Sequence, residues 1–267
     1  MDGLSAFRAS SIGFTRELAR QLPGAECWTA QGLVIGITGW NLSAFNSAIV
    51  LDENALSAAA LDFLGSIFAD TGLPFSIVVF SQDAVPACDT FLKSNGYAVL
   101  FTDPVLACQG PLGKLTVLPG DLPRNPAVRV QAATTTRERQ IFREVVTEVF
   151  QMPMTFSAEM FDQLLDMQVN KLMLAWLDDT PVGAGMLFYS DGIAAIYNVA
   201  TLEPCRRQGI GTRMMQALHS RALLDGYTGT VLAALPDGQA LYQRLGYHLA
   251  GYQISYSIAE QVHNISL

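Results

Sequence analysis

The sequence predicts an α+β protein (mixed α/β) that is divided into two domains. A chain of 267 residues exceeds the roughly 100 to 150 residues of an ordinary domain. Half of the residues are hydrophobic and 15% are charged, a charged share below the average of about 25%, so the chain can bury a sizeable core. In the second half, apolar runs of strand length alternate with helical patterns, and strands outnumber helices.

The domain boundary is predicted at residues 118–127, which separate a first domain at 1–117 from a second at 128–267. This segment holds three prolines and a glycine in ten positions. Proline removes a backbone donor and fixes φ, so neither a helix nor a sheet ladder continues through such a run.

The charge balance restricts the possible partners. The chain carries 16 basic and 24 acidic residues, a formal net charge of −8, and such a field repels nucleic acid and anionic membrane surfaces. No stretch approaches about 18 consecutive apolar residues, and the N-terminal residues do not resemble a secretory signal. We therefore expect no nucleic-acid partner, no membrane partner and a cytoplasmic location.

The four cysteines are predicted to be free thiols. Cys27, Cys88, Cys108 and Cys205 are spaced neither as zinc ligands nor as a dense disulfide framework. The sequence therefore predicts no metal site.

Local patterns predict the elements of the second domain in order. Thr135 and Glu138 fit a capping box before an amphipathic helix. Residues 178–181 and 191–192 are turn signals between strands, and Gly226 ends a helix. The predicted order is a strand at 128–131, the capped helix, a helix at 157–166, strands at 171–177, 182–189 and 193–201, a helix to 225, a strand at 230–234, a helix at 238–245 and a strand at 247–258.

A glycine-containing loop lies between the strand at 193–201 and the helix that ends at 225. Gly209 and Gly211 allow the backbone to approach a ligand closely, and the helix that begins there presents unpaired N–H groups. Such an arrangement suits a pyrophosphate. The loop matches neither a Walker A motif nor a dinucleotide-binding fingerprint, and a surface turn before an ordinary helix is the alternative interpretation.

Two motifs together resemble the GNAT superfamily of acyl-CoA-dependent N-acyltransferases. The first is the run Arg206-Arg207-Gln208-Gly209-Ile210-Gly211, and the second is Tyr242 with the Gly246-Tyr247 pair. The resemblance covers residues 128–258 in the family's order of elements. It implies a twisted, mixed, mostly antiparallel sheet flanked by helices, and acetyl-CoA as cosubstrate.

The same resemblance implies roles for particular residues. Val199, Ala200 and Thr201 would bind the pantetheine arm through their backbone, with the Val199 amide near the thioester oxygen. Tyr242 would protonate the departing thiolate; the alternative is an aromatic residue that only packs the short helix. The pyrophosphate would be held by Arg206, Arg207, Gln208, Gly209, Ile210, Gly211 and Thr212. Residues 234–237 lack the Asn or Ser that many members use for pantetheine, so that contact is not expected.

No residue identifies itself as the general base. Glu203, just beyond the cofactor strand, is the first candidate, although a solvated turn residue is the alternative. His219, His248 and His263 are expected to be structural. Residues 150–156 either form an apolar wall on the acceptor side or simply close the core.

The first domain is predicted to be a degenerate copy of the second. Residues 91–97 align with 241–247 at an offset of 150, and the Gly-Tyr pair recurs in register. In this copy Asp52-Glu53-Asn54 stands in place of the glycine loop and Leu92 in place of the tyrosine. Carboxylates would repel a pyrophosphate, so we expect one catalytic site per chain.

The leading hypothesis is an N-acetyltransferase that transfers acetyl from acetyl-CoA to a primary amine of a small molecule or peptide. The amine would attack directly in a ternary complex. The alternative is a noncatalytic acyl-CoA-binding sensor or partner-binding module. A monomer or a homodimer is expected.

Overall fold

The computed structural model describes residues 1–110, 112, 127–152 and 157–259. Seven α-helices are described: α1 Gly3–Gln21, α2 Ala58–Thr71, α3 Asp89–Ser94, α4 Thr136–Phe150, α5 Ala158–Leu165, α6 Ile210–Leu224 and α7 Pro236–Arg244. The described strands are β1 Glu26–Ala30, β2 Leu33–Ile37, β3 Ser47–Val50, β4 Ser76–Ser81, β5 Tyr97–Gln109, β6 Val128–Ala132, β7 Asn170–Leu177, β8 Thr180–Ser190, β9 Ile193–Thr201, β10 Gly229–Ala233 and β11 His248–Ile258. None of these helices has both the length and the apolar character needed to cross a bilayer.

The chain forms two compact units. The first comprises residues 1–105 together with the chain from 250 onward, and the second comprises 106–249. The final strand therefore groups with the first unit, although the sequence pattern placed it in the second half. Residues 252–256 pair antiparallel with β4, and Ile254 and Tyr256 are fully buried in the core of that unit. The boundary predicted at 118–127 lies, except for Ala127, outside the described residues and stays a prediction.

Within the first unit the strand order is β1-β2-β3-β4-β11-β5. The β3–β4 pair is parallel, whereas β1–β2, β2–β3 and β4–β11 are antiparallel. Leu33, Ile35, Leu64 and Ile77 lie in one core cluster and are almost completely buried. The helix α2 covers this face because its apolar residues recur at helical spacing.

Within the second unit the order is β5-β10-β9-β8-β7-β6, and β9 and β10 are parallel. The helix α6 packs on one face, where Ile210, Met214 and Leu218 are buried. The helices α4 and α5 pack on the other face through a second cluster. The predicted mixed fold, a mixed sheet flanked by helices, is confirmed.

The capping box predicted at Thr135 and Glu138 is present. The Thr135 hydroxyl oxygen accepts a hydrogen bond from the Glu138 N–H at 3.2 Å, and the Glu138 carboxylate accepts one from the Thr135 N–H at 2.9 Å. Backbone donors from Thr135 and Thr134 hold the pKa of Glu138 below its ordinary value. These local bonds explain why α4 begins where the sequence predicts.

A buried polar chain holds α6 to neighbouring backbone. The Nε2 of His219 lies 2.7 Å from the Gly110 carbonyl oxygen, and its Nδ1 lies 2.8 Å from the Thr230 hydroxyl, which is itself 2.5 Å from the Tyr247 hydroxyl. A carbonyl only accepts, so Nε2 carries the proton and Nδ1 accepts from Thr230. The imidazole is thus neutral and satisfied, and burial lowers its pKa.

We expect the stabilising contribution of His219 to fall when the solution is acidified from pH 7 to pH 5. The pKa of His219 is lowered by folding, so the unfolded chain takes up the proton first, below about pH 6.5, and the loss continues down to the folded pKa. Asp103 acts in the opposite direction over this range, because burial raises the pKa of its carboxyl group to about 6, so the His219 contribution is measured against a variant. Urea unfolding at each pH measures it.

Relative to the wild type, acidification from pH 7 to pH 5 should be less unfavourable to the stability of His219→Gln, which should also be less stable at pH 8. His248→Gln is the matched control, because His248 is exposed on β11, and it should show the pH dependence of the wild type. The same pH dependence in His219→Gln as in the wild type would contradict the assignment.

Candidate active site

The strand β9 carries a bulge at Asn198 and Val199. Ala184 of β8 pairs with Ala200, and Met186 pairs with Tyr197, so β9 has two residues where β8 has one. Asn198 has a left-handed φ of 54°. The extra residue reverses the alternation of side chains. Val199 therefore packs with the cluster under α6, whereas Ala200 belongs to the cluster under α4.

The glycine loop has the backbone that its sequence predicts. Gly209 caps α6 with a left-handed φ of 81° and no side-chain capping hydrogen bond, and Arg207 is also left-handed, at 64°. The first N–H groups of an α-helix have no partner within the helix. At the start of α6 these N–H groups and the positive end of the helix dipole are available to an anion.

Two glycines allow neighbouring elements to pack closely around the start of α6. A Cβ on Gly183 of β8 would be 2.9 Å from the Ala200 carbonyl oxygen of β9 and 3.2 Å from Ile210 Cγ2 of α6, and one on Gly211 would be 3.1 Å from Leu241 Cδ2 of α7. Gly183 was missed by the sequence reasoning. The signal for it was the Gly-Ala-Gly run of β8, because glycine inside a strand often marks a close backbone approach.

Two polar side chains of the loop form hydrogen bonds with nearby backbone carbonyl oxygens. The Nε of Arg206 donates to the Thr201 carbonyl oxygen at 3.3 Å, and Gln208 Nε2 donates to the Pro204 carbonyl oxygen at 3.4 Å. Arg207 is exposed. Arg206 thus ties the loop to the end of β9, while Arg207 lies at the surface of the loop.

Tyr242 is a buried phenol on α7. Its side chain is only 8% exposed, and burial raises its pKa to about 12. A Cβ on Gly238 would lie 2.7 Å from its Cε2, so glycine makes room for the ring. A phenol with this pKa is protonated at neutral pH and is able to donate a proton.

The other predicted candidates are placed as follows. Glu203 is exposed in a single-turn 3-10 helix, Glu203–Cys205. His219 is structural, His248 is exposed, and His263 lies outside the described residues. In the segment 150–156, Phe150 and Met152 are half-buried against the α4 cluster, and residues 153–156 lie outside the described part of the chain.

In the first unit, the carboxylates of the segment that aligns with the glycine loop accept hydrogen bonds from residues of the same unit. Glu53 accepts hydrogen bonds from the Ser81 hydroxyl at 3.2 Å and from the Ala87 N–H at 2.7 Å. Asp52 accepts from the Asn54 N–H at 3.0 Å, and Leu92 is fully buried. This segment therefore presents acceptors, not donors, and does not suit an anionic ligand.

Asp103 of the first unit is a titratable residue that the sequence reasoning missed. Burial raises the pKa of its carboxyl group to about 6, so it exchanges a proton near neutral pH. The signal in the sequence was an Asp-Pro pair inside the otherwise apolar run of β5.

Comparison with protein families finds one match. Residues 139–247 match the model of the acetyltransferase (GNAT) family. This region includes α4, the bulged strand, the glycine loop and Tyr242. No curated protein sequence matches the chain.

Solved structures share the fold over most of the chain. A GCN5-related N-acetyltransferase from Kribbella flavida superposes with a TM-score of 0.71 at 19% identity, covering 94% of this chain and 95% of that one. One from Sphaerobacter thermophilus gives 0.64 at 17% identity and covers 91% and 85%. A functionally unknown conserved protein from Staphylococcus epidermidis gives 0.63 at 14%, covering 88% and 94%. At these identities the likeness shows the fold.

Proposed function

We propose that this chain is an N-acetyltransferase, starting from the match of residues 139–247 to the model of the acetyltransferase (GNAT) family. It would use acetyl-CoA and acetylate a primary amine of a small molecule or peptide in a ternary complex. The observation that carries the proposal is the uncapped, left-handed start of α6 beside the bulged end of β9.

The binding half of the proposal rests on the backbone of the loop. We assign the diphosphate of acetyl-CoA to the loop from Arg206 to Thr212, and the pantetheine arm to the backbone of Val199, Ala200 and Thr201. Each hydrogen bond to a charged group contributes roughly 1.5 to 3 kcal/mol, so a few convergent amides outweigh the long-range repulsion of a net charge of −8, which salt screens beyond about 8 Å.

The chemical half rests on two groups. The main-chain amide of Val199 would stabilise negative charge on the thioester oxygen, as preorganised donors do in acyl transfer. Tyr242 would donate its proton to the departing sulfur, because its phenol is protonated at neutral pH. Glu203 stays our candidate for the base, and its exposed position leaves it accessible to an incoming ammonium group.

We further propose that the first unit is a degenerate copy that binds no acyl-CoA. The order of elements supports this: β3, α2 and β4 are followed by α3 and β5, as β9, α6 and β10 are followed by α7 and β11. In both series the strands on either side of the longer helix are parallel neighbours. The internal hydrogen bonds of Glu53 supply the reason for the lost site.

The reaction is assigned to the cytoplasm. All four cysteines are free and none forms a disulfide, which is typical of proteins in a reducing compartment.

Calorimetry and an amine panel test the proposal. We expect acetyl-CoA to bind with one equivalent per chain, and CoA to be released when primary amines are added. Two equivalents would contradict the degenerate first unit, and absence of binding would contradict the proposal as a whole. Binding without transfer to any amine of a broad panel would instead support an acyl-CoA sensor.

A further inference from the structure

Half-buried apolar side chains gather where several strands of the second unit end. β7 and β9 are both antiparallel to β8, so they run in the same direction and their C-terminal ends lie on the same side of the sheet. Trp176 lies near the end of β7. Leu202 follows the end of β9, and both side chains are half-buried.

The C-terminal end of α4 and the residues after it add two more apolar side chains beside these strand ends. β6 ends beside the start of β7, where Ala132 pairs with Met173, so α4 begins near the N-terminal ends of β7 and β9. Its 15 residues span about 22 Å, which carries its C-terminal end across the sheet. Phe150 is the last residue of α4 and Met152 lies two residues beyond it. Both pack in the same cluster as Trp176 and Leu202.

We call these four residues the apolar rim: Phe150, Met152, Trp176 and Leu202. Farther inside the same cluster the side chains are covered; Leu174 is fully buried and Met186 is 4% exposed. The rim thus leaves apolar and aromatic surface open at the end of the sheet where β9 bulges and α6 begins. It lies on the face opposite α6, because all four residues pack in the α4 cluster, whereas Val199 packs in the α6 cluster.

We propose that the amine acceptor carries an aromatic-sized apolar group and that the apolar rim, through Trp176, determines this specificity. The inference rests on the proposed function. The Arg129 guanidinium lies 5.5 Å from the centre of the Trp176 ring and is paired with the Asp179 carboxylate at 3.3 Å. A second ammonium group of the acceptor placed against the apolar rim would lose its hydration without gaining a partner there.

The reaction on such an acceptor balances without another reagent. Glu203, the candidate base, takes a proton from the incoming ammonium group and passes it to water. The lone pair of the resulting neutral amine forms the C–N bond, the C–S bond breaks, and the sulfur receives the proton of Tyr242. The new nitrogen then loses its extra proton to water, and Tyr242 is reprotonated from water. The products are the amide and CoA. The rim takes no part in these steps, so it acts on kcat/KM for the amine.

Three amines test the proposal with the full chain and acetyl-CoA: 2-phenylethylamine, ethylamine and 1,4-diaminobutane. Burial of a phenyl ring stabilises a complex enough to raise kcat/KM by about 10- to 100-fold. We expect 2-phenylethylamine to exceed ethylamine by this factor and 1,4-diaminobutane to be the poorest. A preference for 1,4-diaminobutane, equal rates for all three, or transfer to none of them despite acetyl-CoA binding overturns the inference.

A substitution at the rim separates specificity from general damage. Trp176→Leu should lower kcat/KM for 2-phenylethylamine by about 10-fold while leaving ethylamine and the Kd of acetyl-CoA unchanged. Trp28→Leu, at a half-buried tryptophan of the first unit, is the matched control and should change neither. Equal losses on both amines would contradict the role of Trp176. Should Trp176→Leu fail to fold, Leu202→Ala is expected to show the same selective loss. Failure of acetyl-CoA to bind would instead count against the proposed function.

Discussion

Replacement of Tyr242 by phenylalanine is expected to lower kcat by about 100-fold, the lower end of what a general acid contributes. The ring would stay in place, because Tyr242 packs in the core beside Tyr247 and Gly238. Only the hydroxyl group, our proposed proton donor, would be lost. Steady-state kinetics with acetyl-CoA and a primary amine measure the effect, and calorimetry should show an unchanged Kd for acetyl-CoA.

Tyr189→Phe is the matched control for this prediction. Tyr189 belongs to the same unit, and its hydroxyl donates to Asp225 at 2.7 Å, beyond the C-terminal end of α6. Its removal should leave kcat within twofold, on the order of the scatter between sites without a catalytic role. An unchanged kcat in Tyr242→Phe would remove Tyr242 from the mechanism.

Replacement of Gly209 by alanine is expected to weaken acetyl-CoA binding by about 10- to 100-fold. Gly209 has a φ of 81°, and a left-handed conformation costs an ordinary residue roughly 1 to 2 kcal/mol. Relief of this strain turns the first N–H groups of α6 away from a common point, and each lost hydrogen bond to a charged group costs roughly 1.5 to 3 kcal/mol. Calorimetric titration with CoA measures the loss.

Gly226 supplies the control at the other end of the same helix. Its φ is 92°, and no atom lies within 4 Å of the Cβ that alanine would add. Gly226→Ala therefore carries comparable strain and should lower the urea midpoint of unfolding without changing the Kd for CoA. Equal weakening of CoA binding by both substitutions would show that general destabilisation, not loop geometry, causes the effect.

Much of the fold was accessible from local sequence patterns. The structure places Ser157 as the N-cap of α5 and ends α6 at Leu224, one residue before the predicted end. The short helix begins at Pro236 rather than Gly238, because proline is well suited to the first helical position. Bonds between near neighbours decide these boundaries, so a short window of residues is enough to predict them.

The candidate site was accessible only in part. The loop from Arg206 to Thr212 could be identified because glycine tolerates the left-handed conformation that the loop requires. The bulge at Asn198 was not predictable, since the run 193–201 has no glycine or proline to mark it. The engagement of Arg206 with the Thr201 carbonyl and the apolar rim were equally inaccessible, because both depend on which residues meet across strands.

The sequence by itself determined the mixed α+β character, the start of α4 and the left-handed backbone at Gly209, because each depends on residues within a few positions of one another. Only the tertiary structure decided that β11 belongs with the core of the first unit, that Gly183 and Gly211 admit the close approach of α6, and that Tyr242 is buried enough for its pKa to rise to about 12. These properties arise from contacts between residues far apart in the chain, where burial and strand pairing set the free energy and no local pattern records them.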